Sequence, residues 1–138
     1  GRISDAALAY LDETIAAFSQ QHILICLHHH PILVDSKWLD SVALLNPNEF
    51  WGVIDRHTNV KAVAYGHIHQ EVSVERKGVQ CFAVPSTCIQ FKPKSQEFAL
   101  DDLAPGYRWF DLFPDGSIQT EVSRVTTKFK VDMTSTGY

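Results

Sequence analysis

Several features that mark particular classes of protein are missing from this sequence. Lysine and arginine number 12 against 16 acidic residues, and the net charge of −4 lacks the basic excess of a nucleic-acid-binding protein. No apolar run approaches the length of a membrane span. The three cysteines are an odd number without CxxC spacing, which argues against a disulfide framework. We therefore expect a reduced, cytoplasmic protein with no nucleic-acid partner and no membrane partner.

The length and composition are those of one globular domain. The chain has 138 residues, of which 45% are hydrophobic and 20% are charged, and this is enough to build a core. Residues 126–138 are polar and have little hydrophobic pattern. We expect one domain over residues 1–125, followed by a loosely ordered tail over residues 126–138.

Two helices are indicated in the first half of the chain. Apolar residues recur at helical spacing after Ser4 or Asp5, and either residue can cap the helix. In the second helix, Asn46 is the expected N-cap and Pro47 the first helical residue. Glu49 then stands where a capping box would place a residue that reaches back to the cap.

Each predicted helix is followed by a short apolar run. Residues 22–27 and 60–65 are of the kind that forms strands buried on both faces, and Cys26 is read as a small buried hydrophobe. The order helix, strand, helix, strand predicts parallel strands joined by a crossover helix. The first half therefore indicates an α/β fold.

The second half of the chain predicts antiparallel hairpins. Residues 71–75 and 79–84 alternate around Arg-Lys-Gly, and residues 107–113 and 117–125 flank Pro-Asp-Gly. Residues 85–105 between these hairpins are predicted to be mostly loop. The whole pattern is an α/β fold in which parallel strands are followed by antiparallel hairpins.

Histidines follow both predicted buried strands. The triplet at residues 28–30 ends the first apolar run, and His67 and His69 follow the second. The carboxyl ends of neighbouring parallel strands meet at one edge of a sheet, where ligands bind in open α/β folds. In extended backbone, His67 and His69 would point to the same side. Imidazole is a common ligand of divalent transition metals, so a metal site is the hypothesis. Its alternative is a pair of surface histidines in a turn.

The histidine triplet leaves the choice of ligand open. If the strand continued, His28 and His30 would share one face and His29 the other. Pro31 disfavours helical backbone at His30 and fits a chain that leaves the sheet. We expect one of the three to join the metal site and the others to lie behind it or at its rim.

Other polar residues are assigned ordinary structural roles. His22 and His57 are expected to face solvent at the boundaries of elements, and Asp12 to be a charge on a helix surface. Asp101 and Asp102 could form a metal-binding carboxylate pair, but a loop between Leu100 and Leu103 is the simpler explanation.

Beyond these residues, the ordered blocks HHHP and GHIH resemble the last two signature blocks of the calcineurin-like metallophosphoesterases. The segments HHHPILVDSKWLD, YGHIHQE, PSTCIQFKP and LAPGYRWFDLFPDGSIQTEV are similar to the bacterial 3',5'-cyclic-AMP phosphodiesterase branch. This resemblance runs from about residue 23 to the C-terminus. It implies a metallophosphoesterase-type α/β sandwich, of which residues 1–125 would form the C-terminal part.

The resemblance also implies a ligand set and a reaction. In this family, an H-x-P histidine and both histidines of G-H-x-H bind a two-metal centre, which points to His29, His67 and His69. Two divalent ions are implied, with iron or manganese favoured over zinc. Paired cations lower the pKa of a shared water and clamp a phosphoryl group. The implied substrate is a small cyclic nucleotide, and the implied reaction is hydrolysis of 3',5'-cyclic AMP to AMP.

The remaining signature blocks of that family are missing. No G-D or G-N-H occurs, and the one D-x-H, at residues 55–57, ends a predicted helix instead of following a strand. The resemblance thus implies the C-terminal half of a longer protein, with the general acid and further ligands in the other half. By itself the chain would be weakly active or inactive, and its uncovered apolar surface could lead it to self-associate.

Two other functions stay open at this stage. The chain could belong to a metallophosphoesterase for other phosphodiesters, with loops at residues 34–45 and 86–94 selecting the substrate. It could instead be a non-catalytic metal-binding or interaction module.

Overall fold

A computed structural model describes residues 1–127 and 130–134. Of the predicted tail, residues 128–129 and 135–138 lie outside the described part. The helices are α1 Asp5–Ala17, α2 Lys37–Asp40 and α3 Pro47–Ile54. The strands are β1 Ile23–Leu27, β2 Val60–Tyr65, β3 Val72–Arg76, β4 Val79–Ala83, β5 Gln90–Phe91, β6 Leu100–Asp101, β7 Gly106–Leu112 and β8 Ile118–Arg124.

A four-stranded mixed sheet organises the molecule. Its strand order is β1-β2-β4-β3, in which β1, β2 and β4 run parallel and β3 pairs antiparallel with β4. Two antiparallel pairs, β5 with β6 and β7 with β8, follow in sequence. The predicted α/β class, with parallel strands followed by hairpins, is confirmed.

The first helix forms as its sequence predicts. The hydroxyl of Ser4 accepts a hydrogen bond from the backbone N–H of Ala7 at 3.2 Å, so Ser4 is the cap. Leu8 and Ile15 lie on the buried side of α1 and join the core. Burial of this apolar face anchors the helix in the core, where it packs beside α3.

The second predicted helix begins at Pro47 as expected, but its predicted capping box does not form. Asn46 makes no side-chain cap hydrogen bond. Its amide instead bonds both backbone groups of Ile3, accepting from the N–H at 3.0 Å and donating to the carbonyl at 2.9 Å. A long-range pairing with an extended segment therefore replaces the local cap.

The strand β1 differs from its prediction. Among the described strands it pairs only with β2, at the edge of the sheet, and four of its five residues are half-buried instead of buried on both faces. The prediction of a buried Cys26 is wrong, since this residue is exposed. The central strand β2 lies between β1 and β4 and is almost wholly buried, as predicted.

Three short elements occur in segments predicted to be irregular or loop: α2, β5 and β6, each of two to four residues. Such lengths are too short to give a hydrophobic period. None of the helices in the described ranges is long and apolar enough to cross a membrane.

A half-buried arginine joins the last hairpin to the main sheet. The guanidinium of Arg108 in β7 donates to the carbonyl of Ala83 at 3.1 Å and to the hydroxyl of Ser73 at 3.2 Å. It also lies over the ring of Phe82, 5.2 Å from the ring centroid. These contacts fix β7 and β8 against β3 and β4.

Candidate metal centre

The histidine clusters meet because β1 and β2 end side by side. Leu27 pairs with Tyr65 at the end of the parallel ladder, so the loops after both strands leave the sheet together. His28 Nε2 then lies 3.1 Å from His67 Nδ1. The ring centroids of His29 and His67 are 4.5 Å apart. Two segments of distant sequence thus form one imidazole cluster at the carboxyl edge of the sheet.

The backbone of the second cluster is not extended, contrary to the sequence prediction. The strand β2 ends at Tyr65, and His67 and His69 both have left-handed backbone, with φ of 69° and 49°. Non-glycine residues adopt this region rarely, at a cost of about 1–3 kcal/mol each, and such strain concentrates at functional sites. Ile68 between them is completely buried and anchors the turn in the core.

Backbone carbonyls orient two of the imidazoles. His29 Nδ1 donates to the carbonyl of Val42 at 2.8 Å, and His69 Nδ1 donates to the carbonyl of Ile89 at 3.0 Å. A carbonyl can only accept, so the Nδ1 atom carries the proton in both rings and Nε2 keeps its lone pair. Metal-binding histidines in proteins are commonly held in this way.

An aromatic contact further fixes His69. Its ring stacks on Phe91 with 4.2 Å between centroids and 3° between planes. Phe91 is buried and makes edge contacts with Trp38 and Phe98, at 4.9 Å and 5.8 Å between centroids. Trp38 therefore packs against the ring that stacks on His69.

The charge state of the cluster suits metal coordination. Burial, together with the neighbouring histidines, lowers the pKa of His67 to about 4. Burial also lowers the pKa of His69, against the opposing effect of the Ile89 carbonyl. Within the described part of the chain, His67 Nε2 is a buried nitrogen with no hydrogen-bond partner. These rings are therefore neutral near pH 7, which is the form that binds metal.

The other two members of the triplet occupy different positions. His28 contacts His67, whereas His30 is completely buried behind the cluster. His30 Nε2 lies 3.6 Å from Asp40 Oδ1, too far for a good hydrogen bond. Burial lowers the pKa of His30 despite the nearby carboxylate.

Of the two histidines predicted to face solvent, one does so and the other does not. His22 is exposed, as predicted. The prediction of a solvent-facing His57 is wrong, because its side chain is only 14% exposed and its Nε2 lies 2.6 Å from Asp12 Oδ1. Asp12 therefore joins α1 to the end of α3. Asp101 lies in β6, and Asp102 is exposed beside it.

The cluster has the chemistry of a metal site but few ligands of its own. Across residues 1–127 and 130–134, no group of three or more His, Cys, Asp or Glu side chains could by itself hold a metal ion. The oriented rings of His29 and His69, and the unpartnered Nε2 of His67, nevertheless fit a divalent metal. This chain can supply nitrogen ligands to such a centre, and further ligands would complete it.

Comparison with known proteins identifies relatives along the whole chain. No family model matches it. It is 45% identical over 139 residues to a Vibrio vulnificus protein named 3',5'-cyclic adenosine monophosphate phosphodiesterase CpdA, covering 100% of this chain and 51% of that protein. Proteins of the same name from Haemophilus influenzae and Escherichia coli K12 are 47% and 41% identical, again over 100% of this chain. The chain spans about half the length of these curated relatives, and the predicted resemblance is confirmed.

The fold also has a relative among solved structures. The crystal structure of a dimetal phosphatase from Danio rerio matches 88% of this chain and 36% of that chain, with a TM-score of 0.56 and 21% identity. At this identity the likeness concerns the fold alone, and it agrees with the predicted α/β class.

Proposed function

We propose that this chain is the C-terminal half of a metal-dependent phosphodiesterase that hydrolyses 3',5'-cyclic AMP to AMP. The observation that carries the proposal is the meeting of His29 and His67, 4.5 Å apart between ring centroids, at the ends of two parallel strands. The relatives named as cyclic-AMP phosphodiesterases match the chain from end to end.

The proposed metal ligands are His29, His67 and His69. They would contribute to a centre of two divalent ions, with iron or manganese preferred, although nitrogen ligands also suit zinc. When bound, such a pair lowers the pKa of a water and neutralises charge on the phosphoryl oxygens. The general acid and the remaining ligands would come from the other half of the protein.

The residues of this chain would prepare the site before metal enters. The carbonyls of Val42 and Ile89 keep protons on Nδ1 of His29 and His69, so neither ring has to change tautomer. Phe91 holds the plane of His69 and excludes water from one of its faces. This preorganisation reduces the cost of assembling the centre.

We also infer how the domain is organised and where the protein is located. Residues 1–125 would form the C-terminal part of a single metallophosphoesterase domain, and the protein would be cytoplasmic. Separated from its other half, the chain would be weakly active and would self-associate through uncovered apolar residues. Exposed examples are Tyr10, Leu33 and Leu45.

Hydrolysis of cyclic AMP by the full-length protein with added manganese tests this function. AMP should form in the presence of metal and disappear on chelation. If a generic phosphodiester such as bis(4-nitrophenyl) phosphate is cleaved while cyclic AMP is not, the metal centre stands and the proposed substrate is wrong. If neither compound is cleaved, the enzymatic proposal fails.

A further inference from the structure

A cavity of about 400 Å³ opens beside the proposed metal centre. It lies among the loop that follows β2, the start of β3, and the strands β6 and β8. Its wall includes His69 and the polar side chains of Glu71, Ser73, Asp101 and Arg124. We call this space the Asp101 cavity. His69 therefore belongs both to the proposed ligand set and to the wall of a neighbouring cavity.

The charges of the Asp101 cavity are mixed and partly fixed. Arg124 donates to the carbonyl of Ala104 at 2.9 Å, and its guanidinium lies 3.5 Å from the Glu71 carboxylate. Asp101 is half-buried and accepts from the backbone N–H of Asp102 at 2.8 Å. With two carboxylates and one guanidinium, the wall is net negative, which is unfavourable for a phosphate group.

The same wall suits an uncharged, hydrogen-bonding group. The carboxylates can accept protons from hydroxyl and amino groups, and the Ser73 hydroxyl can donate to a ring nitrogen. Pro93 and Leu103 add apolar surface against which a ring can lie. The volume falls within the range of small-ligand sites, about 300–1,000 Å³. A nucleoside has this combination of a flat ring, hydroxyls and an amino group.

We propose that the Asp101 cavity binds the nucleoside portion of the cyclic nucleotide while its phosphodiester lies at the metal centre beside His69. This inference rests on the proposed function and adds a binding site for the part of the substrate that does not react. Asp101 and Glu71 accept hydrogen bonds from the nucleoside, and Leu103 contacts the base. The site distinguishes nucleotides from phosphodiesters that lack a nucleoside.

Two adjacent aspartates provide a matched test. Asp101→Ala removes a carboxylate of the cavity wall, whereas Asp102→Ala removes an exposed carboxylate that is not part of it. In the full-length, metal-loaded protein, kcat/KM is measured for cyclic AMP and for methyl 4-nitrophenyl phosphate, a small diester without a nucleoside. Asp101→Ala should lower the ratio of kcat/KM for cyclic AMP to kcat/KM for the small diester about tenfold, which corresponds to ~1.4 kcal/mol. The change should come mainly from a higher KM for cyclic AMP. Asp102→Ala should leave the ratio within twofold of the wild-type value.

A second pair tests the same cavity by filling it. Leu103 is 46% exposed on its wall, and Leu112 is 58% exposed outside it. Leu103→Trp should also lower the ratio at least tenfold, and Leu112→Trp should not.

The possible results distinguish failure of the nucleoside site from failure of the proposed phosphodiesterase function. A wild-type ratio in both Asp101→Ala and Leu103→Trp overturns the nucleoside site, even if cyclic AMP is hydrolysed. An equal loss with both substrates also overturns it, because that result indicates damage to the metal centre. If the wild-type protein cleaves neither diester, the proposed function itself fails, and the nucleoside site fails with it.

Discussion

The rings of His69 and Phe91 lie parallel, with 4.2 Å between centroids and 3° between planes, although the two residues are 22 positions apart in the sequence. Phe91 is 2% exposed, so its own orientation is fixed by the core. The proposed metal centre therefore depends on the packing of residues that cannot touch the metal.

Replacing Phe91 by leucine should weaken metal binding without removing a ligand. We expect Phe91→Leu to reduce metal affinity about 10- to 100-fold, because His69 loses the surface that fixes its plane. The variant should also lose about 1–2 kcal/mol of unfolding free energy. Titration of manganese, with urea unfolding alongside, measures both effects.

Phe98→Leu is the matched control for this change. Phe98 contacts Phe91 and Trp38, and no ring contact joins it to His69 among the described residues. Phe98→Leu should lower the unfolding free energy by a similar amount and leave metal affinity within about threefold of the wild-type value. Equal loss of affinity in both variants would contradict a specific role for the stacking contact.

Replacing His28 and replacing His29 should affect phosphodiesterase activity to different extents. The Val42 carbonyl holds the Nδ1 proton of His29, so its Nε2 keeps the lone pair, whereas His28 Nε2 contacts His67 Nδ1 at 3.1 Å. We expect His29→Ala to remove detectable phosphodiesterase activity in the full-length protein. His28→Ala should retain activity, reduced about 10-fold, because it loses only support for a ligand. The reverse order of the two activities would reassign the ligand to His28.

The joint between α1 and α3 should be sensitive to acid. Hydrogen bonds from His57 and then Arg56 lower the pKa of Asp12 below its usual 3.8. A carboxyl group with a depressed folded-state pKa adds stability above the unfolded pKa, and this stability is lost as the pH falls through the folded value. Asp12→Asn should therefore lower Tm by a few degrees at pH 7 and by progressively less below about pH 4.

Thermal unfolding of the wild-type protein and the variant across this range measures that convergence. Glu13→Gln, an exposed change on the same helix, should leave Tm nearly unaltered at both ends of the range. A constant difference between wild type and Asp12→Asn from pH 7 to pH 3 would show that the charge of Asp12 does not stabilise the joint.

Arg108 should contribute strongly to stability through its contacts between strands. Arg108→Met keeps much of the apolar side chain but leaves the Ala83 carbonyl without this donor, and we expect a loss of about 2–3 kcal/mol in unfolding free energy. Arg2→Met, at a side chain that is 54% exposed, should change it by less than about 0.5 kcal/mol. Similar urea midpoints for both variants would contradict this role of Arg108.

The sequence predicted those parts of the fold that local chemistry determines. The strand β2, at Val60–Tyr65, agrees with its prediction because a continuous apolar run suits a strand with neighbours on both sides. Both long hairpins were also predicted. Their turns contain Gly78 and Gly116, whose φ of 82° and 83° glycine adopts without strain.

The remainder depended on contacts between distant residues. The exposure of Cys26 follows from the edge position of β1, which no local pattern encodes. The motif in the sequence predicted His67 and His69 as candidate ligands. It could not predict their left-handed backbone, because the turn is anchored by burial of Ile68 between them. The hydrogen bond from His69 to the Ile89 carbonyl could not be predicted either, because every residue type has the same backbone carbonyl.

The metal content of the full-length protein tests the central claim most directly. After purification with manganese, the wild-type protein should contain two metal ions per chain, and His69→Ala should contain fewer. His22→Ala, which changes an exposed histidine outside the cluster, should keep both ions. A folded His69→Ala protein that retains two ions with unchanged affinity would contradict the proposal that His69 is a metal ligand.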